Sequence, residues 1–288
     1  MNAVLAALRG GLIVSVQAEA DSPLNAPEAI ALLAQVAVAN GAAGLRVEGL
    51  ARIGAVRQAL SVPLIGIVKR TYPGYGPFIT PSEREIAEVV AAGAEIVAFD
   101  ATSRPRPDGR DVAAAIAAIH ARGALAMADC ASAQDVHAAA AAGADVVATT
   151  LCGYTPGTQG TRLPALELVA SCAASGAFAI CEGGVGSPDD LRAAFAAGAQ
   201  AVVVGTALTN LDVLVRRFAG AARAERRRAG RPSPSPAGRR FREKSARRAN
   251  RFRTIVETPA TLVGESSPQL AATGKRTVGA NIVPTTGR

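Results

Sequence analysis

Six stretches of the chain repeat one alternation of small-residue helix ends and apolar runs: 40–48 (NGAAGLRVE), 91–100 (AAGAEIVAFD), 121–130 (ARGALAMADC), 141–150 (AAGADVVATT), 174–183 (ASGAFAICEG) and 196–205 (AAGAQAVVVG). In each, a glycine suited to a left-handed cap ends a helix and an apolar strand follows. The runs at 11–17 (GLIVSVQ) and 63–69 (PLIGIVK) have the same strand character and bring the expected number to eight. Between them the pattern predicts helices near 26–39, 50–59, 82–92, 110–121, 132–142, 164–174, 188–197 and 207–225, with a short helix before the first strand. Ser82, Ser132, and Ser187 ahead of Pro188 mark helix starts.

Strands that are apolar on both faces and alternate with helices imply a parallel sheet covered on both sides. Eight such units imply an α/β fold of the TIM (β/α)8 barrel type. The alternative is an open doubly wound sheet. The first strand-to-helix turn, SVQAEADSPLN (15–25), has no G-x-G-x-x-G fingerprint, so dinucleotide binding finds little support.

The periodicity stops near residue 229. The barrel domain is expected over 1–228, and residues 229–288 read as a basic, Pro/Ser-rich, disordered C-terminal extension. Charge divides the same way. The formal net charge of +8 conceals 13 basic and 19 acidic residues over 1–215 against 18 and 4 over 216–288. The barrel is therefore mildly acidic and offers no basic face, so a nucleic-acid partner is not expected; the tail alone could be a basic arm for RNA or phospholipid, and a solvated charge run is the commoner reading of such a stretch. A small-molecule enzyme fits the barrel better.

Four cysteines without C-x-x-C spacing, in a chain with ample core, point to a reducing cytoplasm. The start imitates a secretory signal, but Arg9 and Gly10–Gly11 interrupt its apolar run, and no stretch reaches the length of a membrane span. His120 and His137, both in Ala-rich helical stretches, cannot assemble a rim metal site, so no metal is expected.

In such a barrel the active site lies at the carboxyl ends of the strands. Those ends carry Gln17, Arg46 and Glu48, Lys69 and Arg70, Asp100 and Thr102, Asp129, Thr149 and Thr150, Glu182, and Gly205 with Thr206. Lys69 is distinctive as the only lysine before residue 244, where twelve arginines supply the other fixed cations of the first 215 residues. Arginine cannot release its proton, whereas lysine can when an apolar surround or a neighbouring cation, here Arg46 or Arg70, lowers its pKa. A free amine suits proton abstraction beside a carbonyl or Schiff-base formation. The bland alternative is a rim ion pair of Lys69 with Asp100 or Glu48. Glu182, at the end of the seventh strand, could move protons on a sugar hydroxyl. Gly183, Gly184, Gly205 and Thr206 lie in the loops after strands seven and eight, where this fold commonly holds a phosphate. Cys130, Cys152 and Cys181 near the rim could in principle serve a two-base racemase, though small-residue packing explains them as well.

Taken in order, GLIVSVQAEADSPL, PLIGIVKRTYP, PFITPSEREI, IVAFDAT, MADC, VVATTLCGYT, CEGGVGSPDDL and AVVVGTAL resemble the N-acetylmannosamine-6-phosphate 2-epimerase family of bacterial sialic-acid catabolism, over residues 10 to 220. The resemblance implies a TIM barrel that uses neither metal nor organic cofactor and interconverts N-acetylmannosamine 6-phosphate and N-acetylglucosamine 6-phosphate. It places the family's catalytic lysine on Lys69 and its glutamate on Glu182. Substrate contacts fall on Gln17, Arg46 and Asp129, with Thr150 and Tyr154 inside TTLCGYT. The implied chemistry has Lys69 remove and return the proton on carbon 2, Glu182 assist ring opening, and Arg46 hold enolate-like charge. The chain departs from the family pattern at Gly183–Gly184, where a basic residue is usual, at Asn210, where an arginine normally grips phosphate, and at Val16, where cysteine is common.

The expected partner is an amino-sugar phosphate, without a membrane, and a homodimer is compatible with the sequence. Two other readings compete: a Schiff-base aldolase of a sugar phosphate, and a non-catalytic barrel that senses one.

Overall fold

The computed structural model describes residues 2–229. Eight parallel strands close into a barrel in sequence order, β1 to β8, with β1 paired to β8. They are β1 (Leu12–Val16), β2 (Gly44–Glu48), β3 (Leu64–Ile67), β4 (Ile96–Asp100), β5 (Leu125–Asp129), β6 (Val146–Ala148), β7 (Phe178–Glu182) and β8 (Ala201–Val204). After the short α1 (Ala3–Leu8), the helices following the strands are α2 (Pro27–Ala39), α3 (Leu50–Ala59), α4 (Glu83–Ala91), α5 (Val112–His120), α6 (Ala133–Ala141), α7 (Leu166–Ala174), α8 (Pro188–Ala196) and α9 (Leu211–Ala229). The closed ring excludes the open doubly wound sheet. The tail expected to be disordered lies, Ala229 apart, outside the described residues.

The helix starts have separate causes. Ser132 accepts the N–H of Asp135, whose carboxylate returns the bond in a capping box. Ser187 caps α8 through the N–H of Asp190, with Pro188 in the first turn. Ser82 departs from expectation: it makes no cap bond to the backbone, and its hydroxyl is turned to the buried carboxylate of Glu85.

Period-two alternation sorts every strand into an inward and an outward set. Ile13, Ile65, Ile67, Ile96, Ala98, Met127, Val146, Ala148, Phe178, Ile180, Ala201 and Val203 fill the barrel interior, and Leu5 and Leu8 of α1 join the same cluster. Gly44 leaves Leu8 its space, since a Cβ there would lie 2.4 Å from a Leu8 methyl. The alternate residues, among them Val14, Leu45, Val47, Val97, Phe99 and Val147, pack outward with the helices. Each buried Ile, Leu or Val contributes roughly 1.5–3 kcal/mol.

The inward parity, continued to the carboxyl end of each strand, reaches Gln17, Arg46 and Glu48, Lys69, Asp100, Asp129, Thr150, Glu182 and Gly205. Strand alternation therefore gathers these residues at one end of the barrel. After β3 the chain folds back on itself: Lys69 and Ile79 form an antiparallel bridge, the Arg70 N–H donates to Phe78, and the Thr80 N–H donates to Val68 at 2.7 Å. Thr80 holds a φ of 43°, sparsely populated for a β-branched residue, and is anchored by its hydroxyl donating to the Ala98 carbonyl at 2.7 Å.

Candidate active site

The carboxyl ends of the strands surround a cavity of about 640 Å³, and Gln17, Arg46, Lys69, Thr150, Glu182 and Gly205 all line it. Its deepest polar group is Arg46, 3 % exposed, at the centre of a buried charge cluster. Nη1 and Nη2 of Arg46 donate to Oδ1 and Oδ2 of Asp129 at 3.1 and 2.7 Å, and Nη1 also pairs with Glu182 Oε2 at 2.8 Å. Thr150 Oγ1 bridges the two acids, 2.7 Å from Asp129 Oδ1 and 3.2 Å from Glu182 Oε2. A hydroxyl carries one proton, so when Thr150 gives it to Asp129 it can accept from a protonated Glu182.

Two acids share one guanidinium here, and the electrostatics follow. Burial pushes the Glu182 carboxyl up to about 7; Arg46 pulls it down, Asp129 pushes it up, and Thr150 and Lys69 pull it down. For Arg46, burial works against the charged form, but Asp129 and Glu182 more than offset it and its pKa rises above the ordinary value. Glu182 is thus held where it can gain or lose a proton near neutrality, which suits a general acid and base. Its backbone is fixed from outside the barrel, because Thr149 Oγ1 donates to the Glu182 carbonyl and accepts the Glu182 N–H, at 2.8 and 3.0 Å.

Lys69 stands on the wall opposite Glu182, since β3 and β7 are four strands apart in a ring of eight. Its main chain is pinned by the bridge to Ile79 and by donation of its N–H to Glu48 Oε1 at 3.4 Å. The rim ion pair considered for Lys69 is not formed. Glu48 is paired with Arg52, and Asp100 with Arg104. The expected apolar surround is not found either, because the Lys69 side chain is exposed to the cavity. Nor are the arginines unpaired neighbours: Arg46 belongs to the acid cluster, and Arg70, on the outward parity, pairs with Glu85 and Glu88. Desolvation of the amine therefore requires a ligand in the cavity.

Of the other site residues read from the sequence, Asp129 is fully buried behind Arg46 and Thr150 and is not among the cavity-lining residues. It acts on the cavity through Arg46. Gln17 donates from Nε2 to Thr206 Oγ1 at 3.4 Å, which joins the ends of β1 and β8. Gly205 makes this approach feasible, since a Cβ there would lie 2.2 Å from Gln17 Nε2. Gly183 and Gly184 both have positive φ, 105° and 73°, and a Cβ on Gly184 would meet Leu163 at 2.2 Å. Tyr154, 61 % exposed, lines the mouth above Gly183.

Asp100 and Thr102 do not reach the cavity: Asp100 binds Thr102 and Arg104, and its carbonyl accepts from Arg106. All four thiols are buried and none lines the cavity. Burial pushes Cys181 up to about 11 and Cys172 to about 12, and raises Cys130 and Cys152 as well, so the two-thiol racemase finds no support. His120 pairs with Asp145 on the surface and His137 is exposed on α6. Arg52 and Arg217 line the cavity without having been expected there. Arg52 was foreshadowed by its i,i+4 spacing from Glu48.

An ionisable pair facing across the mouth of a (β/α)8 barrel, with glycine-rich loops on one side, defines an enzyme that moves protons on a small molecule. The family model described as "Putative N-acetylmannosamine-6-phosphate epimerase" matches residues 30–224, and the chain belongs to this family. A relative from Synechococcus elongatus described as a 2-epimerase of this kind is 47% identical over 221 residues, covering 75% of this chain and 95% of the relative. One from Haemophilus influenzae is 40% identical over 223 residues, covering 77% and 96%. The solved structure of the N-acetylmannosamine-6-phosphate 2-epimerase from Clostridium perfringens aligns with TM-score 0.73 and 36% identity, over 76% of this chain and 96% of that one.

Proposed function

We propose that this chain is an isomerase that interconverts N-acetylmannosamine 6-phosphate and N-acetylglucosamine 6-phosphate at carbon 2, in cytoplasmic catabolism of amino sugars such as sialic acid. The observation that carries the reading is an amine with no ion-pair partner among the described residues, Lys69, facing a carboxyl poised near pH 7, Glu182, across a cavity large enough for a sugar phosphate. Ring opening exposes an aldehyde at carbon 1, which acidifies the hydrogen on carbon 2. Glu182 moves the hydroxyl proton during opening and closure, and Lys69, covered by the bound sugar, removes and returns the carbon-bound proton. Arg46, fixed by Asp129, presents positive charge at the cavity floor to the enolate-like oxygen. Each step uses side chains of the chain itself.

Gln17, Thr150 and Tyr154 are in place to contact the sugar, and Gly183, Gly184, Gly205 and Thr206 to contact its phosphate. The four free, buried cysteines support a reducing compartment, and no described helix is long and apolar enough to cross a membrane. Leu32 and Val36 on α2, with Leu211, Val215 and Phe218 on α9, are exposed and support a homodimer.

Proton NMR in D2O with N-acetylmannosamine 6-phosphate tests the reaction: deuterium enters carbon 2 as the second epimer appears. Borohydride trapping of the sugar on Lys69, with no epimer formed, would replace this reading with the Schiff-base aldolase. Binding without exchange or trapping would leave only the sensor.

A further inference from the structure

Four cations line the cavity, and they are not equivalent. Arg46 is neutralised by Asp129 and Glu182, and Arg52 by Glu48. That leaves Lys69, on the β3 wall, and Arg217, whose side chain has no ion pair or hydrogen bond among the described residues. Arg217 belongs to α9 and shares its side of the cavity with Gly183, Gly184 and Gly186 after β7 and with Gly205 and Thr206 after β8.

The placement of Arg217 has a structural cause. Asn210, 7 % exposed at the start of α9, accepts the N–H of Val213 at 3.2 Å and donates from Nδ2 to Glu19 Oε1 at 3.1 Å. The other carboxylate oxygen of Glu19 pairs with Arg216 at 3.2 Å. One carboxylate from the β1–α2 connection therefore clamps α9 at two points and fixes its rotation about its axis. Arg217 lies two turns beyond Asn210, on the same face, and helical side chains lean toward the N-terminus of their helix. The guanidinium is thereby directed back over the loop that follows β8. Asn210 is committed to the clamp and does not line the cavity.

We infer that Arg217 is the side chain that recognises the anionic end of the substrate, taking the charge of a phosphate monoester whose other oxygens meet the backbone N–H groups of the two glycine loops. The inference rests on the proposed reaction only for the identity of the sugar. A phosphate monoester carries close to two negative charges at pH 7, and a guanidinium is suited to bind it in two-point fashion. The neighbouring loops supply neutral donors and no other cation. Lys69, on the far wall, is left to the reacting carbon.

The test compares Arg217→Ala and Arg217→Lys with the wild type on N-acetylmannosamine 6-phosphate and on unphosphorylated N-acetylmannosamine. Inorganic phosphate serves as competitive inhibitor and as calorimetric titrant. Arg192→Ala, whose residue pairs with Asp189 on the surface of α8, is the control. Loss of one charge-assisted contact should lower the ratio of kcat/KM for phosphorylated over unphosphorylated sugar by ~10–100-fold, mainly through KM. Phosphate inhibition should weaken in parallel, the lysine variant should lie between, and the control should match wild type. An unchanged ratio in Arg217→Ala overturns the assignment. If the wild type epimerises neither sugar, the proposed reaction fails, and calorimetry decides the anion site alone. Phosphate binding by wild type and not by Arg217→Ala upholds the site, whereas equal binding or none overturns it.

Discussion

The guanidinium of Arg46 holds Asp129 with two N–H bonds, at 3.1 and 2.7 Å, and offers Glu182 only the shared Nη1, at 2.8 Å. Asp129 is therefore the stronger claimant on the shared guanidinium, and its charge helps keep Glu182 protonated near neutrality. In Asp129→Asn the guanidinium turns its charge wholly to Glu182, so the titration near pH 7 in kcat/KM should move to lower pH. Removing one partner of a buried pair should also cost about 3 kcal/mol of stability, read by urea denaturation. A titration that stays in place would mean that burial alone sets Glu182.

Lys69 carries the next prediction. It is not replaceable by a fixed charge, because the proposed role requires the amine to take up and release a proton. Both Lys69→Ala and Lys69→Arg should lose about a thousandfold in kcat, with deuterium incorporation at carbon 2 lost in step and substrate binding retained. Activity retained in the arginine variant would reduce Lys69 to an electrostatic role.

Much of the barrel is legible in the sequence, because an apolar run recurs eight times, in six of them behind a glycine-ended helix. The parity of each strand is not. Strands buried on both faces show no alternation of apolar and polar residues, so Lys69 and Arg70, or Thr149 and Thr150, look alike until the register is known. Register sends Lys69 and Thr150 inward, Arg70 outward to Glu85, and Thr149 to the main chain of Glu182. The same limit hid the role of Asp129, whose inward position is beneath Arg46 and not at the cavity surface. Arg217 was concealed differently. It sits at the start of the basic run that continues into the tail, and charge counting assigns it there, whereas α9 carries it back to the rim.

Glu182 should weaken the fold that holds it. Its pKa is about 7 in the folded chain against the ordinary value of 4.5. Below pH 4.5 both states are protonated and the group is neutral toward folding. As pH rises from 4.5 to 7 the unfolded state ionises while the folded state must keep the proton, so stability falls by roughly 3 kcal/mol and levels off once the folded carboxyl itself ionises. Glu182→Gln should accordingly melt higher than wild type at pH 8 and match it near pH 4, while losing most epimerase activity. Equal melting curves at both pH values would remove the claimed burial penalty.

Gly205 separates steric need from chemistry. It follows β8 on the inward parity, and a Cβ there would stand 2.2 Å from Gln17 Nε2 and 3.2 Å from Ser15 Cβ. Gln17 is only half-buried and its side-chain bond to Thr206 is long at 3.4 Å, so it can swing aside at small cost to the fold. Gly205→Ala should therefore fold and melt within about 1 kcal/mol of wild type, the change being borne by a movable side chain. The displaced Gln17 would intrude on the sugar site, so KM should rise about tenfold with kcat less affected. Gly205→Ala,Gln17→Ala, which removes the clash together with the amide, should match Gln17→Ala alone. Activity below that level would show that the methyl group itself, and not displacement of Gln17, disturbs the site.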